Sequence, residues 1–299
     1  MTTYSIKDLE RISNRKAHTI RIWEQRYGLL EPARTDTNIR YYDDVQLKKL
    51  LNVCTLIDKG MKVSRISKLS HEEMAQEIDR IIAGSLHSDI HIEALINQLL
   101  IAISSFNATM FDQLFTDSVR RVGIKMTYTN IIYPLLVRTG LMWTKDDLLP
   151  SQEHFLSNLI RQKLFSAIDQ LSYSDEPDQT WVLFLNEQED HEIGLLFANY
   201  ILRQYGKKVI YLGARVPYQD LAKVLDTVSP THIYTFSVRS YPDKQLEKLL
   251  EQLHTDFKQY NILLSGGDES IKNLATENNI ININSVDQLI SMLNSNYDQ

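Results

Sequence analysis

The chain has 299 residues, 43% hydrophobic and 23% charged, with a formal net charge of −6. That length suits two or more domains of roughly 100–200 residues each, and the composition is that of a globular protein able to bury a core. No apolar run reaches the roughly 18 residues that a membrane-spanning helix needs. The polar start "MTTYSIKDLERISNRK" is unlike a secretory signal, and a single cysteine, Cys54, excludes internal disulfides and multi-cysteine zinc sites. A reducing, cytoplasmic setting is therefore expected, with no membrane partner.

Charge is unevenly spread. Residues 1–70 hold fourteen Lys and Arg against eight Asp and Glu, about +6, which leaves about −12 on the rest. A basic amino-terminal module on an acidic body points to a polyanion met by the first part alone. In chain order, Ser5 caps "IKDLERIS", where Ile6, Leu9 and Ile12 recur at helical spacing. "AHTIRIWEQRYG" follows the break "NRK" and ends at Gly28, making a helix-turn-helix pattern in which Trp23 reads as core. "LLEPARTDTNIRYYDD" suits a small β-hairpin wing, and a third helix runs from near Asp44 to Gly60. "KVSRISKLS" adds a helical turn or two, and the polar residues 71–88 read as a linker.

From Asp89 to about Tyr173 four amphipathic helices with short connections predict a four-helix bundle over 89–174, with Asn107 as an N-cap and Pro150 in the first turn of the last helix. "SYSDEPDQ" reads as a second linker. From Thr180 onward strands alternate with helices: "WVLFL", "KKVIYLG", "HIYTFSV", "NILLSGG" and "IININ" are each followed by a helical stretch. Five such units over 180–299 predict a doubly wound, parallel, five-stranded Rossmann-like sheet, so the fold class is multidomain: an α winged helix-turn-helix, a bundle and an α/β sheet.

The cations and hydroxyls opening the second helix, Arg15, Lys16, His18, Thr19 and Arg21, stand where a recognition helix enters a major groove. Arg34, Arg40 and Tyr41 on the wing suit phosphate contacts that set register. "RIWEQRYGLLEPARTDTNIRYYDDVQLKKL" resembles the signature of the MerR family of transcriptional regulators. That resemblance implies a regulator in which two wings of a dimer bind a pseudo-palindromic double-stranded operator. The effector cysteines of metal-sensing members have no counterpart beside Cys54.

In "EQEDHEIG" (187–194) a histidine sits among acids between a predicted strand and a helix, at the carboxyl edge where such sheets bind ligands. His191 alone reads as a metal ligand, a base or a solvated loop residue. Together, Glu189, His191 and Gly194, then Ser237, then Gly266 and Gly267, are similar to the Asp-x-His-x-x-Gly, Ser-x-Leu and Gly-Gly islands of the cobalamin-binding domain of methionine synthase and related mutases. The resemblance implies His191 as lower axial ligand to cobalt, the acid two residues before it as its orienting partner, and the three glycines and Ser237 around the nucleotide tail. Glu189 replaces the usual Asp, and Arg239 the usual Leu.

Trp143, Glu153 and His154 in "WTKDDLLPSQEH" resemble the upper-face residues of the cobalamin-dependent photoreceptor regulators of the CarH, CarA and LitR group. Those residues there cap an adenosyl group. Thr144 stands where that group carries a second cobalt-binding histidine. The order of parts agrees, and implies a repressor, not an enzyme, whose homo-oligomeric state (dimer or tetramer) and DNA affinity follow bound adenosylcobalamin or methylcobalamin and light. Two other readings are a cobalamin-independent regulator acting through protein partners and, more remotely, a corrinoid methyltransferase or mutase module.

Overall fold

The computed structural model describes residues 4–34, 38–82, 89–143, 149–173, 179–238, 244–267 and 269–295. The chain divides into two compact units, Met1–Ser157 and Asn158–Gln299.

In the first unit α1 (Ile6–Ser13) opens on a capping box: the Asp8 amide donates to Ser5 Oγ at 3.3 Å, and the Ser5 amide to Asp8 Oδ2 at 2.5 Å. Asn14, left-handed at φ 54°, ends it. α2 (Ala17–Tyr27) stops at Gly28, where the amides of Gly28 and Leu29 return to Glu24 O and Trp23 O. Ile20 and Trp23 face inward, as their spacing predicts. The wing is β1 (Ala33–Arg34) paired antiparallel with β2 (Arg40–Tyr41). Tyr4 and Tyr42 exchange both backbone hydrogen bonds, which fastens the chain start to the wing. Asp43 caps α3 (Asp44–Asp58), and α4 (Val63–Ile66) follows.

Residues 71–82 are not a linker. They form α5 (His71–Ile82). Its acids and Arg80 lie outward while Met74, Ile78 and Ile81 are buried at i, i+4 and i+7 against α3 and α6. High polar content concealed that stripe; residues 83–88 lie outside the described residues. The helix-turn-helix module and the helices after it are thus packed into one unit. At its centre α6 (Asp89–Ser104) is buried without interruption from Ala94 to Ile103. Two of its buried amides donate to α3: Asn97 Nδ2 to Thr55 Oγ1 at 3.1 Å, and Gln98 Nε2 to Asn52 Oδ1 at 2.8 Å. α7 (Ala108–Thr127) is capped by Asn107 and kinks at Gly123, φ 77°. A π-helical turn, Tyr128–Ile132, leads into α8 (Tyr133–Trp143).

α9 (Pro150–Asp169) begins at Pro150, and the division between units falls within it rather than at the segment after Tyr173. The second unit then alternates: β3 (Thr180–Asn186), α10 (Ile193–Gln204), β4 (Lys208–Val216), α11 (Tyr218–Val228), β5 (His232–Ser237), α12 (Lys244–Asp256), β6 (Asn261–Gly266), α13 (Glu269–Glu277), β7 (Ile281–Ile283) and α14 (Val286–Ser295). The five strands are parallel, in the order β4-β3-β5-β6-β7. Val182, Phe184, Ile233, Ile262 and Leu264 share one core cluster with residues of α11, α12 and α13. The step from β3 to β4 runs opposite to every later step, so right-handed crossovers place α10 on the other face. The reversal makes β3 and β5 neighbours whose connections leave in opposite directions, and the crevice at their carboxyl ends is where such sheets bind ligands.

Candidate functional site

The three sequence islands of the second unit converge at that crevice. Glu189–Gly194 follows β3, Ser237 ends β5, and Gly266, its partner in register, ends β6. Glu189 is the hinge of the arrangement. It is 3% exposed, and its Oε1 lies 2.6 Å from His191 Nδ1 while accepting the amides of Asp190 and His191 at 3.1 Å each. Its Oε2 accepts the Val238 amide at 3.2 Å, tying the β3 loop to the end of β5. Burial alone raises this carboxyl, but the hydrogen bonds from the His191 side chain and from the His191 and Val238 amides outweigh it and hold the pKa below the ordinary value. Nδ1 donates to this anion, which leaves Nε2 as the second ring nitrogen of a side chain that is 67% exposed. A lone imidazole so held suits a metal whose other positions are already filled.

Every acid of the loop is tied. Glu187 Oε1 accepts the Tyr218 amide at 3.2 Å, Asp190 pairs with Arg215, and Glu192 receives the Tyr211 hydroxyl at 3.0 Å with Arg161 Nε 3.1 Å away. Arg215, Tyr211 and Arg161 were not legible as site residues, since nothing in their sequence neighbourhoods points to this loop. The glycines serve the backbone. A Cβ on Gly266, φ 83°, would stand 2.1 Å from Ser237 O, and one on Gly267, φ 73°, 2.7 Å from Ile271 Cγ2. A Cβ on Gly194 would meet the Phe236 ring at 3.0 Å, so an aromatic from β5 fills the space beside it. Ser237 is buried. Arg239 lies outside the described residues.

In the first unit Glu153 and His154 share the first turn of α9. His154 Nδ1 is 3.0 Å from Glu153 Oε2, and Glu153 Oε1 accepts from the Ser157 hydroxyl at 2.5 Å. Trp143 is the last residue of α8; its side chain and Thr144 lie outside the described residues. On α2, Lys16, His18 and Arg21 are exposed and Thr19 is half-buried. Arg34 is exposed on the wing and donates to Asn38 Oδ1 at 2.6 Å, while Tyr41 is half-buried. Three of the expected contact cations meet carboxylates of the protein itself: Lys16 Nζ lies 3.6 Å from Glu10 Oε1, and Arg15 and Arg40 are held more closely. Arg15 turns onto Asp58 at the end of α3, and Arg40 Nε binds Glu24 Oε1 of α2 at 2.9 Å. Glu24 also accepts from the buried Tyr42 hydroxyl at 2.9 Å, so the wing is braced against α2 through one carboxylate.

Residues 4–73 match the family described as MerR HTH family regulatory protein. The match is confined to the amino-terminal module. The MerR module is one part of a longer likeness. The chain is 28% identical over 254 residues to the HTH-type transcriptional repressor CarH of Myxococcus xanthus, covering 84% of each chain. It is 24% identical over 267 residues to CarA, an HTH-type transcriptional repressor of the same organism, covering 88% of this chain and 86% of that one. Among solved structures, the monomethylamine corrinoid protein of Methanosarcina barkeri aligns with a TM-score of 0.47 at 13% identity, over 68% of this chain and 97% of that chain. No helix among the described residues is long and apolar enough to cross a membrane.

Proposed function

We propose that the chain is a transcriptional repressor that binds double-stranded operator DNA through its MerR module and is regulated by cobalamin held on the α/β unit. The observation that carries the cofactor reading is the Glu189–His191 pair at the β3/β5 crevice, an imidazole held by a buried anion where a doubly wound sheet receives its ligand. These residues would hold a corrinoid: His191 Nε2 would bind its cobalt, and Glu189 would fix the ring's orientation through Nδ1. Adenosylcobalamin or methylcobalamin, if bound there, would supply a cobalt–carbon bond that light can break. By the family resemblance, Ser237, Gly194, Gly266 and Gly267 would accommodate the cofactor's nucleotide tail, and Trp143, Glu153 and His154 would contact its adenosyl group.

On the DNA side Lys16, His18, Thr19 and Arg21 read the groove, and Arg34 and Tyr41 hold phosphate. Arg15 and Arg40 keep the reading surface in shape through Asp58 and Glu24. Regulation is linkage: cofactor state shifts a dimer–tetramer equilibrium, and the oligomer sets how many MerR modules engage one operator. A second reading, a regulator working through protein partners without corrin, draws on Phe236, whose ring fills the space beside Gly194.

Mixing the full chain with adenosylcobalamin in the dark, desalting, and recording the visible spectrum before and after green light decides between them. The cobalamin reading expects a retained corrin band that light alters, and a base-off spectrum for His191→Ala. Loss of all corrin on desalting overturns it.

A further inference from the structure

The strand edge facing the His191 loop is irregular. Leu183 pairs with Tyr211, Phe184 with Gly213 and Asn186 with Val216, so three steps along β3 are met by five along β4. Two residues of this doubly bulged stretch are left-handed, Gly213 at φ 80° and Arg215 at φ 57°. Glycine adopts that conformation without strain; arginine does not. Bulges recur beside functional sites, where they re-aim side chains. Here the re-aimed groups reach the two acids that flank His191. Arg215 grips Asp190 with two parallel bonds, Nη2 to Oδ2 at 2.6 Å and Nε to Oδ1. Tyr211 donates to Glu192 Oε2 at 3.0 Å.

An exposed ion pair contributes little to global stability, and the Arg215 and Asp190 side chains are 68% and 53% exposed. Such a pair does not offset a strained backbone, and strain retained at a loop marks a geometric task. We propose that the bulged end of β4 is a positioning device for His191, in which Arg215 and Tyr211 hold Asp190 and Glu192 so that the imidazole keeps Nδ1 on Glu189 and presents Nε2 outward. Both contacts act on the residues immediately before and after His191, so freeing either lets the ring leave the Glu189 carboxylate. The cobalamin reading enters only in what the imidazole is presented to.

The test uses the full chain carrying Arg215→Ala, Tyr211→Phe, or the paired exchange Asp190→Arg with Arg215→Asp. Without cofactor, at one fixed pH, amide exchange across 187–192 and the ring ¹⁵N shifts of His191, assigned against His191→Gln, report loop order and tautomer. Arg215→Ala is expected to speed exchange of the Asp190 and His191 amides at least about tenfold and to mix the tautomers, with melting temperature unchanged. Tyr211→Phe does so more weakly, and the paired exchange restores the wild-type values. Exchange and tautomer unchanged in Arg215→Ala overturn the proposal. With adenosylcobalamin added, the single variants hold the corrin with a larger base-off share than wild type. A wild-type chain that retains no corrin refutes the cobalamin reading, while the exchange and tautomer results still decide this one.

Discussion

Glu189 is almost fully buried, and four hydrogen-bond donors from the loops after two strands converge on its carboxylate and favour the anion. Its folded pKa is lowered, so its stabilising share is present above the ordinary value of 4.5 and is lost as pH falls through the folded value. Urea denaturation of wild type and Glu189→Gln from pH 7 to pH 3 should therefore give a stability gap that narrows below about pH 4.5. Cys54 has the opposite sign. Burial pushes its thiol up to about 11 from 9.0, against the nearby Arg15 guanidinium, so the thiol stays protonated and its contribution fades as pH rises from about 9 to about 11. A thiol reagent at pH 8 should modify Cys54 only as fast as the chain unfolds; prompt reaction in native buffer would contradict its burial. Gly266→Ala should cost more than about 1 kcal/mol in a melt, since neither φ 83° nor the Ser237 carbonyl admits a Cβ.

Between elements, the contacts of the first unit tie the MerR module to the helices that follow. Arg138 of α8 binds Glu93 of α6 at 2.6 Å and donates to the carbonyl of Ile12 at the end of α1. With Asn97–Thr55 and Gln98–Asn52 between α6 and α3, and Asp58–Arg15 from α3 to the turn before α2, polar contacts run from α8 to the head of the recognition helix. Arg138→Ala should cost about 1–3 kcal/mol, since it leaves charged and buried partners unmatched. Ile78→Ala on α5 should cost about 2–5 kcal/mol in the same denaturation assay, because its side chain fills the interior between α3 and α6. A cost near zero at Ile78 would mean that α5 is the loose tether its composition suggests.

At the scale of the whole molecule, charge and architecture divide the work: an excess of cations lies on the reading module, and the acidic remainder carries the crevice. If DNA is held through phosphate, affinity falls with salt, and Arg34→Ala should reduce the slope of log K against log salt by about one. Arg15→Ala should instead appear as lower thermal stability, because its guanidinium is spent on Asp58. A gel-shift series over salt with both variants separates the two outcomes.

The helix starts at Ser5, near Asp44, at Asn107 and at Pro150, and the five strands, were legible because capping and periodicity are local. Glu189, His191, Ser237 and the glycine pair were singled out by their resemblance to the cobalamin-domain islands, and the fold brings them to the ends of β3, β5 and β6. What only the tertiary structure decided are the long-range pairings. α5 is a packed helix because α3 and α6 offer it a surface, Arg15 and Arg40 turn inward because Asp58 and Glu24 meet them, and Arg215 reaches Asp190 because β4 gains two residues on β3. A residue's own neighbours in sequence specify its backbone. The partner of a charge is specified by whatever the fold brings within about 3 Å of it.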